Sequence, residues 1–427
     1  MDIEKLFLRR KHDALFNTSY PIRPDDWKQF RVEGELDYAH CEVLSFYIHI
    51  PFCQHLCRFC EYARFHVPNR EIQNSYLASI EGDIEKFLNA YPTIRLSGFD
   101  IGGGTPTSLD EENFEYLMHI YKGVIRRVGV TADFEPSIEA TFQTVTTNKL
   151  RLIAEAGIKR ISLGIQSSVN HVQQHNDRVN PDVERMQSVL NEIYAVGVQK
   201  VNLDLMYGLE GQTLLDVQKD MEVIQLLSPE QVTLYELRSN MLKMAESSSK
   251  DRLFQCYATL YKSLIDLGYS ARFGQNTFTK NESDLGLSSY LRHRMIDFMP
   301  YKGFGLSAQS MSPLGVSYNV GKQGGDKKEL LAYNSYPSKD TYQLPKQELL
   351  SKYIAVSAYY GQFRLAVADR VFGQCFLRCF NEEVDFCLAH GYTTLDDTSI
   401  TITPKGFRYY GAVFSLFYRL AGKVNQN

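Results

Sequence analysis

The sequence of 427 residues contains no run of about 18 apolar residues, so no membrane-spanning helix is expected. It also lacks an excess of either charge: 46 Lys and Arg stand against 50 Asp and Glu, a net charge of −4. Neither nucleic acid nor an anionic membrane surface is therefore an expected partner. The opening "MDIEKLFLRRKHDALF" threads charges through its apolar residues and does not read as a secretory signal. Tryptophan occurs once and cysteine only eight times, too sparsely for a disulfide scaffold in a chain of this size. These absences point to a cytoplasmic, reducing setting, where clustered cysteine means metal or redox chemistry.

Against them stand 27 Tyr and 25 Phe, which suit the lining of a large cavity and equally a packed core. Between about residues 45 and 237, short β-rich runs ending in polar or glycine-rich residues alternate with amphipathic helical stretches. Strands are expected at Leu44–Ile50, Leu96–Ile101, Asp133–Thr141, Arg160–Gln166, Val201–Met206 and Gln231–Leu237. Helices fall between them near 71–91, 111–127, 146–156, 181–196 and 213–227, with Thr147 as the N-cap of the third and Gly157 as its close. Six such units with short loops predict an α/β fold, a parallel sheet curling into a partial (β/α)6 barrel. Its chemistry is expected at the C-terminal ends of the strands.

The expected division is an N-terminal segment over 1–43, the core over 44–240, a core extension with cavity-lining loops over 241–345, and a C-terminal domain over 346–427. In the extension, a helix at 251–267 precedes a strand-like "YSARFGQNTF", and the Gly/Ser/Tyr-rich stretch 302–345 reads as loops. The last eighty or so residues read as small and helical, with a β-ribbon at "YTTLDDTSITITPKG", a winged-helix-like pattern used for packing.

Three of the eight cysteines sit in "YIHIPFCQHLCRFCEYARF", residues 47–65. Cys53, Cys57 and Cys60 follow a strand, and three thiolates at this spacing can hold three irons of a cubane cluster, leaving the fourth open to a ligand. Structural zinc completed by His55 or His66 is a second reading, and buried structural thiols a third.

The spacing Cys-x3-Cys-x2-Cys resembles the signature of the radical S-adenosylmethionine (SAM) superfamily, and "YIHIPFC" resembles the oxygen-independent coproporphyrinogen III oxidase branch within it. The resemblance spans roughly residues 16–310. It implies a [4Fe–4S] cluster whose open iron binds SAM, an external flavodoxin- or ferredoxin-type electron donor, and cleavage of SAM to a 5′-deoxyadenosyl radical acting on a small-molecule substrate. It further implies that "GGGTPT", with Gly103, Gly104 and Thr105, meets the methionine amino group, and that Tyr47 orders the SAM. Glu139, Gln166 and Asp204 would help hold SAM or a second ligand, and Arg178 would pair with the methionine carboxylate. "NTSYPI" (Asn17–Ile22) resembles the segment that folds over the cavity in the oxidases and that heme-chaperone relatives usually lack.

The chain departs from the oxidases at three places. Tyr62 replaces a further Cys, Asn276 and Thr277 replace an Asp-His pair before Phe278, and Glu210 replaces a usual Pro. These departures favour two bound SAM molecules and transfer of a methyl or methylene carbon (C-methylation or cyclopropanation). Oxidative decarboxylation of a porphyrinogen is the alternative, and a non-catalytic heme chaperone a second one. "YLRHRM" (Tyr290–Met295), with Arg238 and Arg272, offers cations to a substrate bearing carboxylates or phosphates, or else forms a surface helix. His171 and His175 read as a solvated face, and Cys375, Cys379 and Cys387 as core thiols at helical spacing rather than a second cluster.

Overall fold

The computed structural model describes residues 2–11, 24–237, 250–321 and 327–418. Seven parallel strands organise it: β1 (Val43–Ile50), β2 (Arg95–Gly103), β3 (Ser137–Ala140), β4 (Arg160–Gln166), β5 (Lys200–Tyr207), β6 (Gln231–Glu236) and β7 (Tyr301–Phe304). Their spatial order is β7-β1-β2-β3-β4-β5-β6, so the six expected strands lie in chain order and a seventh joins beside β1. Helices α1 (Arg70–Ala90), α2 (Glu111–Arg127), α3 (Thr147–Glu155), α4 (Val183–Ala195) and α5 (Leu214–Leu227) separate the first six. The cap of α3 is Thr146 rather than Thr147, because it is the Thr146 hydroxyl that accepts the Lys149 N–H at 3.2 Å.

Strands buried on both faces of a parallel sheet usually read as unbroken apolar runs. These alternate instead. Leu44, Phe46, Ile48 and Ile50 of β1 are fully buried against the helices, while Ser45, Tyr47 and His49 take the other face. In β4, Ile161, Leu163 and Ile165 are buried in that same outer core, and Arg160, Ser162 and Gly164 alternate with them. The concave face of the sheet is therefore polar, and it closes through hydrogen bonds. Arg160 donates to Gln231 at 2.8 Å and to Ser137 at 3.1 Å, and Asn202 donates to Ser162 at 2.9 Å.

The described part of 302–345 is largely strand rather than loop. Gln309–Ser312, Gly315–Asn319 and Ser338–Gln343 extend the sheet antiparallel beyond β7, and Arg31–Val32 pairs on the outer edge. Their serines mimic turn composition, but Ser310 and Ser317 are buried and hydrogen-bonded, to the Gly303 N–H and to the Ser338 hydroxyl. Of "YSARFGQNTF" only its end enters a strand, Thr277–Thr279, antiparallel to β6, with Ser270 bridging to Thr279. The helix expected at 251–267 spans Lys250–Asp266.

A second apolar core lies under this extension. It holds Phe363, Phe376, Phe380 and Phe417, and a three-stranded sheet of Gln362–Arg364, Ser399–Ile402 and Thr393–Leu395, the last two lying where the ribbon was expected. Helix Ile3–Arg10 docks on it through Phe7, stacked on Tyr392 at 4.9 Å, and Trp27 donates to Glu348 at 3.0 Å. The expected cavity strap, Asn17–Ile22, lies outside the described residues, as does Arg238. Among the described residues no helix is long and apolar enough to cross a membrane.

Candidate active site

Beyond β1 the chain forms the short strand Phe52–Cys53, paired in parallel with Phe65–His66, so the cysteine loop is closed at its base. The Phe65 N–H to Pro51 carbonyl bond (2.7 Å) and the Val67 N–H to Cys53 carbonyl bond (3.2 Å) seal that closure. Within the loop the Cys60 N–H donates to the Cys57 carbonyl at 3.3 Å, and Arg64 donates to the same carbonyl at 2.5 Å. Arg58 ties the loop to its neighbours, donating to the His175 carbonyl at 3.0 Å and pairing with Glu210 at 3.4 Å. Glu210, the residue where a proline is usual, thus faces Arg58 of the cysteine loop.

Cys53 and Cys57 are buried and Cys60 partly so. Burial pushes the Cys53 thiol up and the Cys60 thiol to about 11, with the Arg64 charge working against both shifts. Loading with metal must therefore expel protons, and nearby cations favour the thiolate products. Among the described residues no three His, Cys, Asp or Glu side chains gather tightly enough around one point for a single ion, and His55 and His66 are exposed. The zinc reading thus has no preformed site, whereas a cubane cluster spreads its thiolate ligands over its corners.

The glycine loop presses on the first cysteine. Gly104 donates to the Ile50 carbonyl and Thr105 to the Phe52 carbonyl, both at 2.8 Å, and the Thr105 hydroxyl lies 3.8 Å from Cys53 Sγ. A Cβ on Gly104 would stand 2.9 Å from that sulfur, and one on Gly102 would stand 2.6 Å from the Glu139 carboxyl. Gly103, at φ +113°, donates to Glu139 Oε2 at 3.0 Å. Glu139 therefore reaches from β3 to the loop after β2. Its side chain keeps accessible surface although protein surrounds it, as a group facing an internal cavity does. Burial, with Asp204 and Asp100 adding to it, raises its carboxyl to about 8.

At the end of β4, Gln166 adopts φ +68°, a left-handed backbone that non-glycine residues rarely take, and its Oε1 is buried without a partner. Strained residues and orphaned polar atoms gather at ligand sites. Arg178 crosses this point. Its Nη1 is 3.9 Å from Cys57 Sγ, its Nε donates to Asn180 at 3.1 Å, and its Nη2 donates to the Gly164 carbonyl. Asp204 on β5 accepts from Ser162 at 2.9 Å and Asn202 at 2.7 Å, and burial raises its carboxyl. Tyr47 stacks on Tyr290 with ring centroids 5.6 Å apart.

Cys53, Cys57, Cys60, Gly103, Gly104, Thr105, Glu139, Gln166, Arg178, Asp204 and Tyr47 thus lie on the polar face of the sheet or in the loops beside it. The same face holds residues not singled out. Asp100 is paired across β1–β2 with Tyr47, raised to about 7 by burial and held by the Ser288 hydroxyl at 2.6 Å. Tyr235 at the end of β6 is surrounded by protein yet accessible, and burial, then the Asp204 and Glu139 charges, raise its phenol. An acidic residue inside the apolar run "GFDIGG" was the available signal for Asp100. Arg272 lies apart, over the Tyr360 ring at 4.9 Å. His171 and His175 are exposed, with His171 3.2 Å from Asp216. Cys387 is core, but Cys375 is exposed, because it caps a short helix instead of lying inside it.

The three thiols, the cations beside them, the cradle at Gly104 and the orphaned Gln166 oxygen fit an iron–sulfur cluster with an amino-acid-bearing ligand. The family profile of the radical SAM superfamily matches residues 47–224. The heme chaperone HemW of Bacillus subtilis is 31% identical over 45% of this chain and 50% of its own, so the chain spans about half that relative's length. The oxygen-independent coproporphyrinogen III oxidase of Helicobacter pylori (strain J99) is 26% identical over 67% of this chain and 65% of its own. Among solved structures, the coproporphyrinogen III oxidase (HemN) of Escherichia coli superposes with a TM-score of 0.71 at 22% identity, covering 88% of this chain and 90% of that one. These relatives are named as coproporphyrinogen oxidases and a heme chaperone, and none of them carries the methyltransferase name expected from Tyr62 and Asn276.

Proposed function

We propose that this chain, whose residues 47–224 match the radical SAM superfamily and whose relatives include an oxygen-independent coproporphyrinogen III oxidase, carries out the oxidative decarboxylation of a carboxylate-bearing porphyrinogen. Cys53, Cys57 and Cys60 would hold the [4Fe–4S] cluster, and Arg178, the Gly103–Thr105 backbone and Gln166 would hold SAM. With an electron from a flavodoxin- or ferredoxin-type donor, cluster and SAM bound there would supply a 5′-deoxyadenosyl radical. The protein's own part is to place substrate on the concave face, exclude water there, and keep Glu139 and Asp204 available to a second SAM or to substrate.

The observation that supports this reading is the convergence of the thiols, Arg178, Glu139, Gln166 and Asp204 on one polar, protein-enclosed face. Residues 44–240 would then be the catalytic core, 241–345 its cavity-lining extension, 346–427 a C-terminal domain, and 1–43 a cover. The test is anaerobic incubation of the reconstituted chain with SAM, reductant and coproporphyrinogen III. Release of carbon dioxide with 5′-deoxyadenosine supports the proposal, and a methylated product without carbon dioxide overturns it. The relatives named heme chaperones support a second reading. Stoichiometric heme binding with no 5′-deoxyadenosine from any substrate would establish that one instead.

A further inference from the structure

The segment Ser289–Asp297 carries three consecutive basic side chains, Arg292, His293 and Arg294, and the first two face carboxylates. Arg292 pairs with Asp133, and His293 lies 3.1 Å from Asp297 and 3.3 Å from Asp133. Arg294 does not. On the π-helical turn His293–Asp297, it lies among the phenols of Tyr47, Tyr62, Tyr290 and Tyr301 instead. Such turns recur at functional sites.

Its guanidinium donates to the neutral Gln309 amide at 2.8 Å and lies 5.2 Å from the Tyr301 ring centroid and 6.0 Å from that of Tyr290. Among the described residues no carboxylate is within ion-pair distance of it. Asp100, which feels the Arg294 charge, accepts the Ser288 hydroxyl through Oδ2 at 2.6 Å, and its Oδ1 is buried without a partner. Arg294 Nε and the Tyr301 hydroxyl are both buried without a well-aligned hydrogen bond, although the guanidinium stands close to the Tyr290 and Tyr301 hydroxyls. Arginine does not shed its proton, so burying it unpaired is costly, and aromatic faces offset only part of that cost. An anion arriving from the cavity completes the arrangement, and a carboxylate matches the guanidinium fork.

We propose that Arg294, within its tyrosine cage, anchors one carboxylate of the substrate and so sets which part of the substrate faces the cysteine loop. This rests on the reading of the cavity as a porphyrinogen site. The probes are coproporphyrin III, a tetracarboxylate, and its tetramethyl ester, each titrated by porphyrin fluorescence against the cluster-loaded full chain. The wild type is expected to prefer the acid. Arg294→Gln is expected to weaken acid binding about tenfold or more while leaving the ester unchanged, with Arg294→Lys between. Iron content and melting temperature identify a misfolded variant, in which case Arg294→Lys and the wild-type acid-to-ester ratio decide.

Acid binding unaffected by Arg294→Gln, or an ester bound by the wild type as tightly as the acid, overturns the anchor and leaves the porphyrinogen reading standing. A wild type that binds neither probe overturns both.

Discussion

Arg178 Nη1 lies 3.9 Å from the sulfur of Cys57, while the other end of the same guanidinium donates to the Gly164 carbonyl. One side chain thus joins the cysteine loop to the end of β4, and no carboxylate pairs with it among the described residues. A guanidinium fixed there offers N–H donors to a ligand carboxylate. Arg178→Ala is expected to weaken SAM binding to the cluster-loaded chain about tenfold or more, the scale of a charge-assisted hydrogen bond. Arg178→Lys, which keeps the charge but loses the fork, should recover part of it. Anaerobic calorimetric titration with SAM measures both, and wild-type affinity in the alanine variant would remove Arg178 from the site.

Gly104 tests the cradle from the other side. A methyl group there would lie 2.9 Å from Cys53 Sγ, from the Phe52 carbonyl oxygen and from the Pro51 carbonyl carbon. Two of these are backbone atoms of the closed loop base and have no rotamer to move into. Gly104→Ala is expected to lower iron incorporation sharply and to lower the melting temperature of the metal-free chain. Gly123→Ala, where an added Cβ meets nothing within 4 Å, is the control and should match the wild type on iron. Full iron loading of Gly104→Ala would show that the loop base yields.

Much of this architecture was legible because punctuation and period agree. Strand Arg160–Gln166 is found with both expected ends, since Gly157 stops the preceding helix and the polar pair Ser167–Ser168 follows the strand. The cysteine spacing is a local property and survives any uncertainty about packing. The antiparallel extension was not legible, because strands buried on both faces show no polar alternation and their hydrogen-bonded serines look like turns. Nor was the direction of Arg294. Its alignment with the cavity follows from a π-helical turn that displaces it from the register of Arg292 and His293, and no spacing rule announces such a turn.

Three carboxyls in this region are raised by burial above the ordinary range: Asp220 to about 6, Asp100 to about 7 and Glu139 to about 8. In the pH window between the unfolded values (3.8 for Asp, 4.5 for Glu) and these, the folded chain holds protons that the unfolded chain has released. Stability therefore falls as pH rises through the window. The metal-free chain is expected to melt at a higher temperature near about pH 5 than near about pH 8, and Glu139→Gln, which cannot ionise, should flatten the upper part of that slope. Melting curves of both proteins across the range check it. An unchanged slope in the glutamine variant would mean that Glu139 ionises freely into cavity water.

Gln166 offers the sharpest separation of structure from function. Its φ of +68° is imposed by a register shift between Gly164 and Gln166 and by Asp220. That carboxyl accepts the Ser168 N–H at 2.6 Å and the Ser167 and Ser168 hydroxyls. The left-handed backbone costs a non-glycine residue roughly 1–2 kcal/mol. Gln166→Gly releases that strain, whereas Gln166→Ala keeps it and removes the amide. The glycine variant should therefore melt at or above the wild-type temperature and the alanine variant below it. If the orphaned Oε1 is there to receive a ligand donor, both variants should lose SAM affinity together, despite their opposite effects on stability. Melting curves and SAM titration of the two proteins separate the terms: affinity that follows stability would make Gln166 a scaffold residue, and affinity lost in both makes it a ligand contact.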